Sequence, residues 1–230
     1  MFLTFFDFLN IQSCYFNIAN LLRKNREMPG LRVEGDLGAS KDGPEVSHQL
    51  LRVPGERIGV LIGRKGVVVE RIKQECKVNV EIESETGNVI VEYDSRSLLE
   101  GNPFKALEII SAIARGFSPE KAFKLIHEDV VFQLLDMRDY VGNSQSSMNR
   151  LKGRIIGERG KSRRTIEELS GADVSVYGHT VGFIGIFEAI KVAVEAIILL
   201  SKGSSHKSVY AMLQNYRRKL KQEKMSLWEE

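Results

Sequence analysis

A chain of 230 residues, 43% hydrophobic and 27% charged with a net charge of +3, has room for two small domains and is too apolar and charge-balanced for global disorder. Two cysteines, Cys14 and Cys76, and four scattered histidines argue against a disulfide framework or a Cys/His zinc site and suit a reducing, cytoplasmic setting. The small net charge conceals an asymmetry. Residues 45–127 hold 12 basic and 12 acidic residues, whereas residues 143–228 hold 15 and 7. A basic surplus favours a polyanionic partner, because each neutralised phosphate releases counterions.

Residues 1–45 form an N-terminal extension. Phenylalanines at 2, 5, 6, 8 and 16 are interrupted by Asp7, Asn10, Gln12, Ser13, Asn17 and Asn20, too polar a run for a membrane-spanning helix. The basic residues Arg23, Lys24 and Arg26 follow that run, the reverse of a signal peptide. Met28-Pro-Gly reads as the natural start, with 1–27 an over-extended reading frame. The competing reading is an amphipathic helix that docks on the protein or a partner.

A first unit spans 46–127. Leu50-Leu-Arg-Val-Pro predicts an entering strand ended by Pro54. Ile58 to Gly66 contains Ile-Gly-x-x-Gly, followed by a helix-period stretch, Val67–Cys76, and an alternating strand from Lys77. Gly87-Asn88 is a hairpin signal before Val89–Tyr93. Asn102-Pro103 opens a helix, Phe104 to Arg115, closed by Gly116. Ser118-Pro119-Glu120 caps a short helix to about Ile126.

A second unit spans 128–202. It enters on Val130–Met137, turns at Gly178 into Thr180-Val-Gly-Phe-Ile, and ends in an apolar helix from about Ile186 to Leu200. It is the first unit repeated: Ile-Gly-x-x-Gly recurs at Ile62–Gly66 and Ile156–Gly160, an offset of 94 residues. Ile72/Ile166 and Val78/Val174 then fall in near-equivalent places. Residues 203–230 complete the chain as a basic helix capped by Gly203-Ser-Ser and running His206–Lys224. Its stripe of Val209, Tyr210, Leu213, Tyr216 and Leu220 reads as core-facing before it reads as a base-stacking platform.

Strand, short helix, Ile-Gly-x-x-Gly, helix, strand, strand, helix, twice over, resembles the type I KH domain across roughly residues 46–202. That implies an α+β fold: two tandem type I KH domains, each a three-stranded antiparallel sheet with helices on one face, plus the C-terminal helix. Ser-Pro-Glu-Lys-Ala from Ser118, and Arg154-Ile-Ile-Gly-Glu-Arg-Gly-Lys-Ser-Arg-Arg-Thr-Ile-Glu, are similar to the archaeal Dim/Pno family of small-ribosomal-subunit assembly proteins. The resemblance implies single-stranded RNA near the 3′ end of small-subunit ribosomal RNA as ligand. It implies a Nob-type endonuclease as partner, and in archaea the α subunit of translation initiation factor two.

A KH domain holds about four nucleotides, with its GxxG loop clamping the backbone. Glycines allow close approach and unusual dihedrals, and the helix that follows presents free N–H groups to the phosphate. The resemblance thus makes Gly157, Glu158, Arg159 and Gly160 the main clamp. Arg150, Lys152 and Arg154 precede it and Lys161, Arg163 and Arg164 follow. Ile155, Ile156, Ile166 and the strand Val174–Val176 are expected to line the base groove, with the strand backbone reading base edges. The first loop, Gly63, Arg64, Lys65 and Gly66, is expected to bind weakly or serve as a protein surface. Glu56, Glu70, Glu75, Glu81, Glu83 and Glu85 oppose the RNA field there, and Val67–Val69 replace the second unit's Lys-Ser-Arg.

Cys76 is expected in a core, His179 on the surface, and Tyr177 and Phe183 in a sheet. No Ser/His/Asp or Cys/His pairing, no phosphate-cradling GxxxxGK[ST] and no nuclease-like carboxylate cluster stands out. The expectation is a non-enzyme without metal or cofactor, free of membrane, monomeric by default. An exosome-type RNA-capturing subunit is an alternative, but the usual S1 barrel has no room before residue 46. A protein-binding adaptor is the other.

Overall fold

The protein is described by a computed structural model over residues 47–94 and 101–226. The readings of residues 1–45, including Met28 as start, lie outside the described residues. In the first domain β1 (Ser47–Arg52) leads to α1 (Gly55–Ile62), the 3-10 turn Arg64–Gly66 and α2 (Val67–Cys76). Then come β2 (Asn79–Glu83), β3 (Asn88–Tyr93), α3 (Pro103–Ala114), α4 (Pro119–Ala122) and the 3-10 turn Phe123–Ile126. The second domain repeats the plan. It runs through β4 (Val130–Asp136), α5 (Arg138–Val141), α6 (Gln145–Ile156), the 3-10 turn Glu158–Gly160 and α7 (Lys161–Ser170). It closes with β5 (Asp173–Tyr177), β6 (Thr180–Ile186), α8 (Phe187–Ser201) and α9 (His206–Ser226). Each sheet is antiparallel, ordered β1-β3-β2 and β4-β6-β5.

Local chemistry sets the element ends. The Asn102 side chain accepts the Lys105 N–H at 3.2 Å, with Pro103 in the first turn of α3. Ser205 does the same for α9, accepting the Ser208 N–H at 3.2 Å. Ser118 occupies the N-cap of α4 without a side-chain bond to the backbone. Helices α2 and α7 both stop on a left-handed residue, Lys77 (φ 53°) and Gly171 (φ 83°). The repeat is therefore kept down to its caps.

Equivalent positions fill equivalent cores. Leu61 and Ile155, and Ile72 and Ile166, are fully buried. Val80, not Val78, is the counterpart of Val174. Each is the second residue of its strand and faces the central strand, at Val91 and Phe183. Cys76 is buried, and loss of hydration pushes its thiol up to about 11.

The second sheet departs from the expected one-sided packing. Its front carries α6, α7 and α8 with Val174, Val181 and Phe183 in that core. Its back is covered by the first domain, whose core takes in Ile184 with Val130 and Phe132 packed against it. Phe117 is the wedge. It meets Phe132 edge-on at 6.2 Å, and a Cβ on Gly182 would lie 2.7 Å from its ring. Only glycine leaves room for that ring on the central strand. Helix α9, read from sequence as a segment of its own, completes the front core, with Val209 and Leu213 fully buried. Among the described residues no helix is long and apolar enough to cross a membrane.

Candidate nucleic-acid interface

The two GxxG loops are the same backbone object. Their first glycines, Gly63 and Gly157, have φ/ψ of 72°/178° and 70°/177°. Lys65 and Arg159 are left-handed at φ 54° and 49°, as are Gly66 and Gly160 at 78° and 77°. Each first glycine closes the preceding helix through its N–H, bonded to the Gly59 carbonyl at 3.0 Å and the Gly153 carbonyl at 2.8 Å. A Cβ on Gly157 would sit 2.6 Å from Ser162 Cβ and 2.8 Å from its backbone nitrogen, whereas one on Gly160 would meet nothing within 4 Å. The inner glycine is thus required by the fold, and the outer one keeps the exposed side bare. Gly157→Ala is expected to cost about 3 kcal/mol or more, combining a glycine-only dihedral region with a backbone clash. Gly160→Ala should cost only the left-handed penalty of about 1–2 kcal/mol. Urea unfolding of the two variants checks the order.

Around the second loop Arg150, Glu158, Arg159, Lys161 and Arg164 are exposed and Lys152 is half-buried. Arg164 braces the loop, donating from Nη2 to the Arg159 carbonyl at 2.7 Å. Two of the expected phosphate ligands are already engaged. Arg154 donates to the Ser204 carbonyl at 2.5 Å while its own carbonyl contacts His206 Nε2 at 2.9 Å. It therefore fastens α6 to the α8–α9 connection. Arg163 lies 3.8 Å from Glu167 with its Nε buried.

The groove differs from expectation. Ile155, Ile166 and Val174 are 0, 0 and 1% exposed, hence core and not groove wall. Ile155 shares its helix face with buried Met148 and Leu151, a spacing of three and seven that could have assigned it. Its neighbour Ile156 is 37% exposed and Val176 is half-buried; these are the accessible apolar groups. The strand edge is also occupied. Val174 N–H donates to Glu167 Oε1 at 2.9 Å. Lys121 of the first domain bonds Glu167 and Asp173 at 2.9 Å each, and Lys124 bonds Asp173 at 2.5 Å. Burial opposes the Lys121 charge, yet its bonds to Glu167 and Asp173 outweigh that and hold its pKa above the usual value. Nothing local in the sequence pointed to this clamp, which spans 46 residues.

The first loop carries exposed Arg64 and Lys65 and a 63% exposed Val67. Glu70, Glu75, Glu81, Glu83 and Glu85 of the same domain are exposed. Arg71 is spent on Glu75 at 2.5 Å and on the Phe123 ring at 4.1 Å. Glu56 accepts the Tyr177 hydroxyl across the domain junction. His179 is half-buried, 3.8 Å from Asp136. Burial and Arg138 lower its pKa despite that carboxylate. No group of three or more His, Cys, Asp or Glu among the described residues is arranged to hold a metal.

Comparison with known proteins agrees with this geometry. A family profile described as a eukaryotic-type (type I) KH domain, the second of Pno1, matches residues 131–218, and the general KH-domain profile matches 48–103. A KH domain-containing protein of Methanocaldococcus jannaschii is 41% identical over 198 residues, 86% of this chain and 84% of that one. The pre-rRNA-processing protein Pno1 of Debaryomyces hansenii is 23% identical over 187 residues, 80% of this chain and 73% of that one. A crystal structure of an a/eIF2α–aDim2p–rRNA complex from Pyrococcus horikoshii matches with TM-score 0.69 at 39% identity, covering 76% of this chain and 96% of that one.

Proposed function

The chain belongs to the Dim2/Pno1 family of KH-domain proteins, and from that premise we propose that it binds single-stranded ribosomal RNA during maturation of the small subunit. The binding is centred on the second domain and directed to the 3′ end of the small-subunit RNA. The observation that carries this is the Gly157–Gly160 loop, its outer face bare, with Arg150, Arg159, Lys161 and Arg164 exposed around it. Backbone phosphates meet those cations and the first turn of α7, and bases have Ile156 and Val176 for apolar contact.

The adaptor reading joins this one. The Pyrococcus relative occurs in one complex with both rRNA and a/eIF2α, which supports a protein partner of that kind. The neutral first domain is the natural surface for it or for a Nob-type nuclease. Fluorescence anisotropy with a single-stranded 3′-end RNA and the same sequence as duplex, each at two salt concentrations, tests the RNA role. Tighter binding of the single strand, weakening as salt rises, is expected; equal binding of the duplex would overturn it. Pull-down of purified nuclease or a/eIF2α after RNase treatment tests direct protein contact.

A further inference from the structure

Helix α7 has two flanks, and they are unlike. Ser162, Ile166 and Ser170 face the core. Arg163 and Glu167 therefore lie on the side of β5, where Lys121 and Lys124 close the edge. Lys161, Arg164 and Glu168 ride the outer ridge, and Leu169 looks the other way, towards α9. There it lines an open groove with Gln214, Arg217, Arg218 and Lys221. Those four positions of α9, spaced three, four and seven apart, form one stripe.

The N-terminal end of α9 lies near the loop. His206, the first residue of α9, contacts the Arg154 carbonyl at 2.9 Å, close ahead of Gly157 in α6. Helix α7 leaves the same loop at Lys161. The two helices pack against each other, and the 10 residues of α7 span about 15 Å. Among the residues whose side chains are described, Lys161, Arg164, Arg217, Arg218 and Lys221 make no ion pair with a carboxylate. Arg218 instead donates to Asn215 Oδ1 at 2.5 Å and Arg164 to the Arg159 carbonyl. Glu168 is the one described carboxylate on these faces. Five like charges so placed repel one another in the free protein and are relieved by a linear polyanion.

We propose that the groove between α7 and α9 is a second contact surface for the RNA backbone, carrying the strand from the Gly157–Gly160 loop past Leu169 to Lys221. This rests on the RNA-binding reading above and adds a direction to it. The strand leaves on the α9 side because Lys121 and Lys124 close the Asp173 end of β5, while Val176 further along β5 stays accessible to bases. Phosphates contact Lys161 and Arg164 first, then Arg217, Arg218 and Lys221.

The test uses the full chain, wild type and the triple variant R217E/R218E/K221E, with fluorescein-labelled RNAs of about 4 nucleotides, the reach of one KH domain, and about 12. All three positions are exposed, and matched thermal melts confirm the fold; R217Q/R218Q/K221Q is the milder second variant. Near 0.15 M salt, where distant charges are screened, the triple variant should bind the longer RNA at least about tenfold more weakly. Its plot of log affinity against log salt should be shallower by about 2, from three contacts at about 0.7 each. The short RNA should bind within about twofold of wild type. Equal weakening of both RNAs, or of neither, overturns the proposal. A Glu158→Asp/Arg159→Asp loop variant that binds the short RNA normally would instead overturn the loop reading, so the two failures are distinct.

Discussion

Glu158→Asp combined with Arg159→Asp is expected to weaken single-stranded RNA binding by about 2–3 kcal/mol, on the order of 30- to 150-fold. The change removes an exposed guanidinium and sets two carboxylates where the phosphate should lie. It leaves the loop intact, because the left-handed dihedrals of Arg159 are among those aspartate tolerates best. Anisotropy titration measures the effect, and circular dichroism melting confirms that the fold survives. The matched Arg64→Asp/Lys65→Asp variant should lose distinctly less, since the exposed carboxylates of the first domain already oppose RNA there. A larger loss from the first loop would reverse the division of labour between the domains.

Phe117→Ala is expected to destabilise the protein by about 3–5 kcal/mol, the range for emptying a large aromatic site. Phe117 is 2% exposed, fills the space above Gly182 and touches Phe132, so the cavity opens between the domains and not within one. The wild type, with one core running into both units, should unfold in a single transition in guanidinium; the variant should separate into two. A loss under about 1 kcal/mol with one transition retained would show that the junction holds without this ring.

Much of the fold was legible because it is written in short-range signals. The Ile-Gly-x-x-Gly repeat, the Asn102-Pro103 cap and the turn at Gly87 each depend on neighbours within a few residues. What escaped depends on pairs far apart in the chain. The Phe117–Gly182 contact, the Lys121 clamp on Glu167 and Asp173, and Arg154 on Ser204 join residues 46 to 65 apart, and no periodicity encodes them. One clue was present: Thr180-Val-Gly-Phe-Ile-Gly-Ile alternates hardly at all, as expected of a strand buried on both faces, and its first five residues are buried. Within the site, the loop was readable to the residue, since glycine pairs with fixed spacing need no tertiary context. The groove was not. Ile155 and Ile156 are chemically identical, and only the helix stripe through Met148 and Leu151 tells which one turns inward.

The wedge at the domain junction also sets a gauge. Because Phe117 and the shared core hold the two units against each other, the separation of the Gly63–Gly66 and Gly157–Gly160 loops is fixed by packing and not by the length of a tether. Flexibly linked modules accept a range of spacings and lose avidity only gradually as the span departs from the optimum; a rigid pair gains its second contact at one spacing and forfeits it at others. The tandem therefore presents its two loops as a caliper of one setting, so a ligand or assembly that engages both must match that distance.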